Sequence, residues 1–170
     1  MLKPVVNVEN TSFQASKGKM FIGTTDTLKF GPDTSAWARL YNPIDSTVNL
    51  FINTYFISNL SEVTIFKETY LNALPPGERI VSNSISNTNL GSRRTPQGII
   101  EFNPSVIGEP SGGVKVTTSP VTSLGRLAVG ELMGQLIIVP GTSFLVFFKS
   151  ESMAEATFDI IWFESKEIIC

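Results

Sequence analysis

The sequence contains one S-x-x-K spacing, Ser16 to Lys19, in which a lysine amine could take the proton of a serine nucleophile. Gly18 interrupts it and no helix signal surrounds it, so both residues read as exposed polar groups. Ser165-Lys166, near the other terminus, reads the same way. A nucleophile activated by histidine is excluded, because the chain has no histidine. Its single cysteine, Cys170, is the last residue, which excludes an intramolecular disulfide and a Cys/His metal site. Glycoside chemistry needs two carboxylates in a cleft. Glu68 and Asp159 lie mid-strand among aromatic residues and read better as outward groups paired with a neighbouring strand. The stretch "EPSGGVKV" has glycines but lacks the G-x-x-x-x-G-K-[ST] spacing of a phosphate loop. No catalytic set emerges. The chain reads as non-enzymatic, with no cofactor and no metal.

Binding chemistry leaves more to weigh. Arg93 and Arg94 in "GSRRTPQG" could hold an anion or a sugar acid. Trp37 and Trp162 could be stacking platforms for a sugar, although tryptophan in a β-sandwich is more often core. A third set comes from "AWARLYNPIDSTVNLFINTYFISN", residues 36–59. Strict alternation puts Val48, Leu50 and Ile52 on one face. It puts Asn49, Phe51, Asn53, Tyr55 and Ile57 on the other. Phe51, Tyr55 and Ile57 then need a cover. A neighbouring subunit would serve, or an added strand containing Val5, Val6 and Val8. The loop 82–98 of the same chain would serve equally well, and a strand with core on both faces is the third reading. Cys170 is either a reduced thiol on a tail or an intermolecular crosslink.

Composition narrows the class. A chain of 170 residues suits one domain with a sizeable core. Charged residues make up only 16%, and Ser, Thr and Asn fill the deficit. Such a surface has low side-chain entropy and is easily buried against another protein. The net charge of −2, with no basic cluster longer than Arg93-Arg94, gives no footprint for nucleic acid. There is no apolar run long enough for a membrane helix. The opening "MLKPVVNVEN" lacks the features of a signal peptide, so synthesis in the cytoplasm is expected. A place on a spore or cell surface would follow release of the protein by another route, such as lysis.

The elements that would carry these residues are strands. Short β-branched or aromatic runs bounded by Gly, Pro, Asn and Ser predict strands at 20–23, 27–30, 36–41, 47–57, 63–71, 79–82, 99–102 and 114–117. Three more are predicted at 136–139, 143–149 and 156–163. "LPPGERI" and "VPGTSFLVF" each place Pro-Gly before a strand, as a type II turn requires. "LGRLAVGELMG", 124–134, reads as an irregular connection, because Gly125 and Gly130 break any helix. Residues 82–98 and 103–114 read as long loops at one end. The fold expected is an all-β antiparallel sandwich of jelly-roll type, residues 18–170, with an N-terminal arm at 1–17.

"AWARLYNP", "VNLFINTYFISNLS", "LNALPPG", "PSGGVKV", "VPGTSFLVFF" and the closing Trp162-Phe163-Glu164 together resemble a family of small β-rich proteins of unknown function from spore-forming Firmicutes. The similarity covers about residues 18–164. It implies a bacterial context and brings no functional residues. In architecture the chain also resembles endospore appendage subunits, small jelly rolls with an N-terminal connector that stack into fibres. It departs from them in lacking a cysteine-rich connector. The function expected is a structural subunit that assembles with itself into a homo-oligomer or polymer, with strand or arm exchange. The alternative is a module that binds a glycan or cell-surface polymer.

Overall fold

The computed structural model describes residues 10–122 and 127–166; Val5, Val6, Val8 and Cys170 lie outside them. The described chain opens with a short helix, α1 (Asn10–Ser16), followed by β1 (Met20–Thr24), β2 (Leu28–Phe30), β3 (Ser35–Tyr41) and β4 (Asn49–Asn59). Next come β5 (Ile65–Leu71), β6 (Ile80–Val81), β7 (Ile85–Asn87) and β8 (Ile99–Val106). The last four strands are β9 (Val114–Val121), β10 (Leu127–Ile138), β11 (Ser143–Lys149) and β12 (Ala154–Ser165).

Two antiparallel sheets form the sandwich. The first has the order β10-β4-β12-β1-β7, with β2 also on β12. The second runs β6-β8-β3-β11-β5-β9. The pairs are nested: β1 and β2 with β12, β3 with β11, β4 with β10, β5 with β9. One long folded hairpin wound across two sheets gives this order, and it is the jelly-roll arrangement. β6, β7 and β8 are an excursion from the hairpin tip. The expected all-β sandwich is therefore what the chain forms.

Local chemistry explains most of the elements. β11 carries Phe144, Val146 and Phe148 into the space between the sheets, together with Leu50, Ile52, Phe158, Ile160 and Trp162. Its other face, Leu145 and Phe147, packs with Trp37 and Tyr70 outside the second sheet. There the Trp37 indole N–H donates to the Pro76 carbonyl at 2.8 Å, so the Pro-Gly segment roofs this face. The Pro-Gly turns behave as predicted, with Gly77 at φ 72° and Gly141 at φ 84°.

Three elements differ from expectation. The stretch read as an irregular connection is largely β10, because Leu127, Val129, Glu131 and Met133 alternate outward against Ala128, Gly130 and Leu132. Gly130 breaks no helix there. It lies opposite Tyr55, and a Cβ on it would come within 2.0 Å of the Tyr55 ring. The loop 82–98 contains a strand, β7, that pairs with β1. Residues 10–16 of the supposed arm form α1, which ends as Gly18 takes φ 64° and the Lys19 amide reaches back to the Gln14 carbonyl at 3.0 Å. At seven residues it is too short to show a periodic apolar face.

Candidate functional site

A β-bulge answers what covers the second face of β4. Ile161 lies opposite Thr54 but Trp162 lies opposite Ile52, so Asn53 is an extra residue in β4. The insertion swaps the faces. Val48, Leu50 and Ile52 before it, and Tyr55 and Ile57 after it, all point into the same core. Tyr55 and Ile57 are therefore interior side chains and not a docking face. Phe51, on the opposite face, is 2% exposed. It stacks on Phe163 with ring centroids 4.7 Å apart, and Met20 and Ala15 of α1 complete the cover. The cover comes from the chain itself, through the helix and not through loop 82–98.

Both tryptophans are also interior, Trp37 and Trp162 each at 0% exposure. Neither can stack on a sugar. Arg93 and Arg94 are exposed, as a binding loop requires. Asp159 is half-buried, and Glu68 belongs to a network described below.

The least satisfied part of the surface is one side of the sandwich. β10 ends the first sheet and β9 ends the second, so the outer edges of both are unpaired among the described residues. They are long edges, twelve and eight residues. On β10, Leu127, Val129, Met133 and Ile137 are exposed; on β9, Val114 and Val116 are exposed. β9 is open on both faces until Val121. Natural edge strands are usually short, charged, kinked or covered. Some such devices are visible here: β9 carries Lys115, Pro120 and a bulge at Val116, and on β10, beside the β4 bulge, residues 132–135 arc away from β4, with Met133 at φ 47° and Gly134 at φ 78°. Asn10 and Thr11, at the start of α1, share a cleft with Glu131 and Met133 at this point. Sequence reasoning missed this side because it treated 124–134 as a connection. The alternation of exposed apolar residues was the available signal.

A cleft of about 560 Å³ lies at the end of the sandwich where the β2–β3 and β11–β12 turns meet the end of β8. Glu68 lines it deeply. It accepts the Tyr70 hydroxyl at 2.6 Å and Lys115 at 3.1 Å, with Lys149 at 3.4 Å. Lys149 also pairs with Glu109 at 2.8 Å. Burial opposes the Glu68 charge, but the hydroxyl and the two ammonium groups outweigh it and hold its carboxyl below the ordinary value. For Lys149 burial is likewise outweighed, by Glu109 and Glu68, and its pKa is raised. Burial and the Glu68 carboxylate together push the Tyr70 phenol up. The rim of the cleft carries exposed Asp33, Glu109 and Glu151.

A carboxyl with a lowered folded pKa stabilises the fold above its unfolded pKa, and that stability is lost as pH falls through the folded value. Unfolding free energy should therefore decline below the ordinary glutamate value of 4.5. Glu68→Gln should flatten this part of the profile in denaturant titrations between about pH 6 and pH 3. An unchanged slope would mean that other carboxyls carry the acid sensitivity.

A second cleft lies at the opposite end, lined by Lys19, Arg94, Lys166 and Glu164. Glu164 is 5% exposed and ties down the loop before β8. Its Oε1 accepts the amides of Gln97 and Gly98 at 2.8 and 2.9 Å and the Trp162 indole N–H at 3.3 Å. Burial raises its pKa, and these donors only partly offset that. Among the described residues, no group of three or more His, Cys, Asp or Glu is placed to hold a metal ion. No helix there is long and apolar enough to cross a membrane.

The chain belongs to a family of unknown function, DUF6143, which it matches over residues 1–169. No curated protein and no solved structure matches it.

Proposed function

We propose that this protein is a non-enzymatic structural subunit that assembles with itself into a homo-oligomer or polymer, joined by strand or arm exchange. The observation that carries this reading is the open side of the sandwich. Two long strand edges, unpaired among the described residues and with exposed Leu127, Val129, Val114 and Val116, lie where a further strand would complete both backbone and apolar contacts. The low charge of the chain favours burial of such a surface. The segment holding Val5, Val6 and Val8 precedes α1, whose first residues share a cleft with Glu131 and Met133 of β10. The segment is the donor strand of this proposal, added to the edge of a second copy. Origin in a spore-forming bacterium, a likeness to endospore appendage fibres and a location on the spore or cell surface belong to this proposal. So does Cys170 as a crosslink between chains.

Electron microscopy of negatively stained protein, beside light scattering, tests the reading: fibres, sheets or large rings are expected. Val129→Lys with Val116→Lys should abolish contacts made through the strand edges and shrink the assemblies while leaving the fold intact, since both side chains are already exposed. A charge on an edge strand opposes pairing. A wild-type monomer of 18.6 kDa would overturn the proposal and shift weight to glycan binding, in which Arg93 and Arg94 are the accessible candidates.

A further inference from the structure

The net charge of −2 conceals a separation along the long axis of the sandwich. β12 runs its whole length, twelve residues, which at about 3.3 Å per residue is roughly 40 Å. Glu151 stands just before β12 and Lys166 just after it. β8 repeats the pattern, with Arg94 ahead of it and Glu109 behind it. The end where the β2–β3 and β11–β12 turns meet therefore carries exposed Asp33, Glu109 and Glu151. Glu62, in the turn from β4 to β5, adds a further exposed carboxylate there. Lys149 is already held between Glu68 and Glu109, and Lys29 is paired with Glu155. Asp33 and Glu151 have no ion pair among the described residues.

The other end reverses the sign. Lys17, Arg93, Arg94 and Lys166 are exposed there, and Lys19 is half-buried. Glu164, which lines the cleft at this end, is already bound to two backbone amides. Asp45 is a further acid nearby among the described residues. Arg126 and Glu167 lie outside the described residues and do not enter this account.

We propose that copies of this chain stack head to tail, the acidic end of one seated on the basic end of the next. The proposal rests on the self-assembly reading and gives the assembly a direction. The occupant is a second copy because each end is the electrostatic complement of the other. The acidic cleft is about 560 Å³ and the basic one about 310 Å³. Contacts at opposite poles are heterologous, so they propagate into a polar filament. Complementary charge also steers encounter and rejects the inverted, head-to-head approach. The contact is independent of the open β9 and β10 edges, which face sideways. Rim charges are screened beyond roughly 10 Å at 0.1 M salt, so the stack should lengthen at low ionic strength and shorten at high.

Paired charge reversals test this. Asp33→Lys, Glu62→Lys and Glu151→Lys together give a chain with two basic ends. Arg93→Glu with Arg94→Glu gives one with two acidic ends. Light scattering at low salt should show each variant losing the long assemblies alone, and an equimolar mixture regaining them as an alternating copolymer. Failure of the mixture to regain assembly overturns the proposal. So does assembly of each variant alone at the wild-type level, although that result leaves self-assembly through the strand edges standing. A wild-type chain that stays monomeric at low salt removes both readings together.

Discussion

Arg39→Leu should destabilise the protein by about 3–5 kcal/mol, because it strands a buried carboxylate. Arg39 on β3 and Glu101 on β8 are directly opposite in register. Their side chains are 4% and 9% exposed. The Arg39 Nε donates to Glu101 Oε2 at 2.6 Å, and the Nη2 group reaches the same oxygen. The guanidinium also lies 4.6 Å from the centre of the Tyr41 ring. A pair buried this far is itself only weakly stabilising, since removing two charges from water costs nearly what their attraction returns. The informative comparison is the double variant, Arg39→Leu with Glu101→Leu. It should recover most of the loss, because neither charge remains. Denaturant titration of both variants decides the point. If the single variant costs no more than the double, Glu101 is reaching water.

Trp162→Ala should cost a similar amount, about 3–5 kcal/mol. Trp162 is completely buried, its ring 5.7 Å from that of Phe21. Truncation leaves a cavity between the sheets. It also removes one donor from Glu164, a carboxyl that burial already disfavours in its charged form. The loop before β8 hangs on that carboxyl, so lower midpoints should come with faster amide exchange at Gln97 and Gly98. A variant of near wild-type stability that had lost only glycan binding would instead return Trp162 to the role of an exposed platform.

The fold was legible where chemistry is local. Pro-Gly turns announced Gly77 and Gly141, and β-branched and aromatic runs announced most strands. The double-sided "SFLVFF" announced a central strand, and β11 lies between β3 and β5 with apolar layers on both faces. The candidate interface was less legible. A perfect two-residue period puts Tyr55 and Ile57 on the face opposite Leu50 and Ile52, and one inserted residue, Asn53, turns them to the same side. A bulge has no strong residue signature, because it is settled by which partner residues compete for the register.

The amino-acid sequence by itself determined an all-β chain without histidine, with only 16% charged residues and many short polar side chains. These follow from residue types and nearest neighbours. Only the tertiary structure decided that β9 and β10 end their sheets, that α1 covers Phe51, and that Glu68, Lys115 and Lys149 meet. It alone placed Glu151 and Lys166 at opposite ends of one strand's span, and so sorted the charges to opposite poles. Each of these joins residues far apart in the chain. Pairing order and layer packing bring them together, and no window of sequence contains that information.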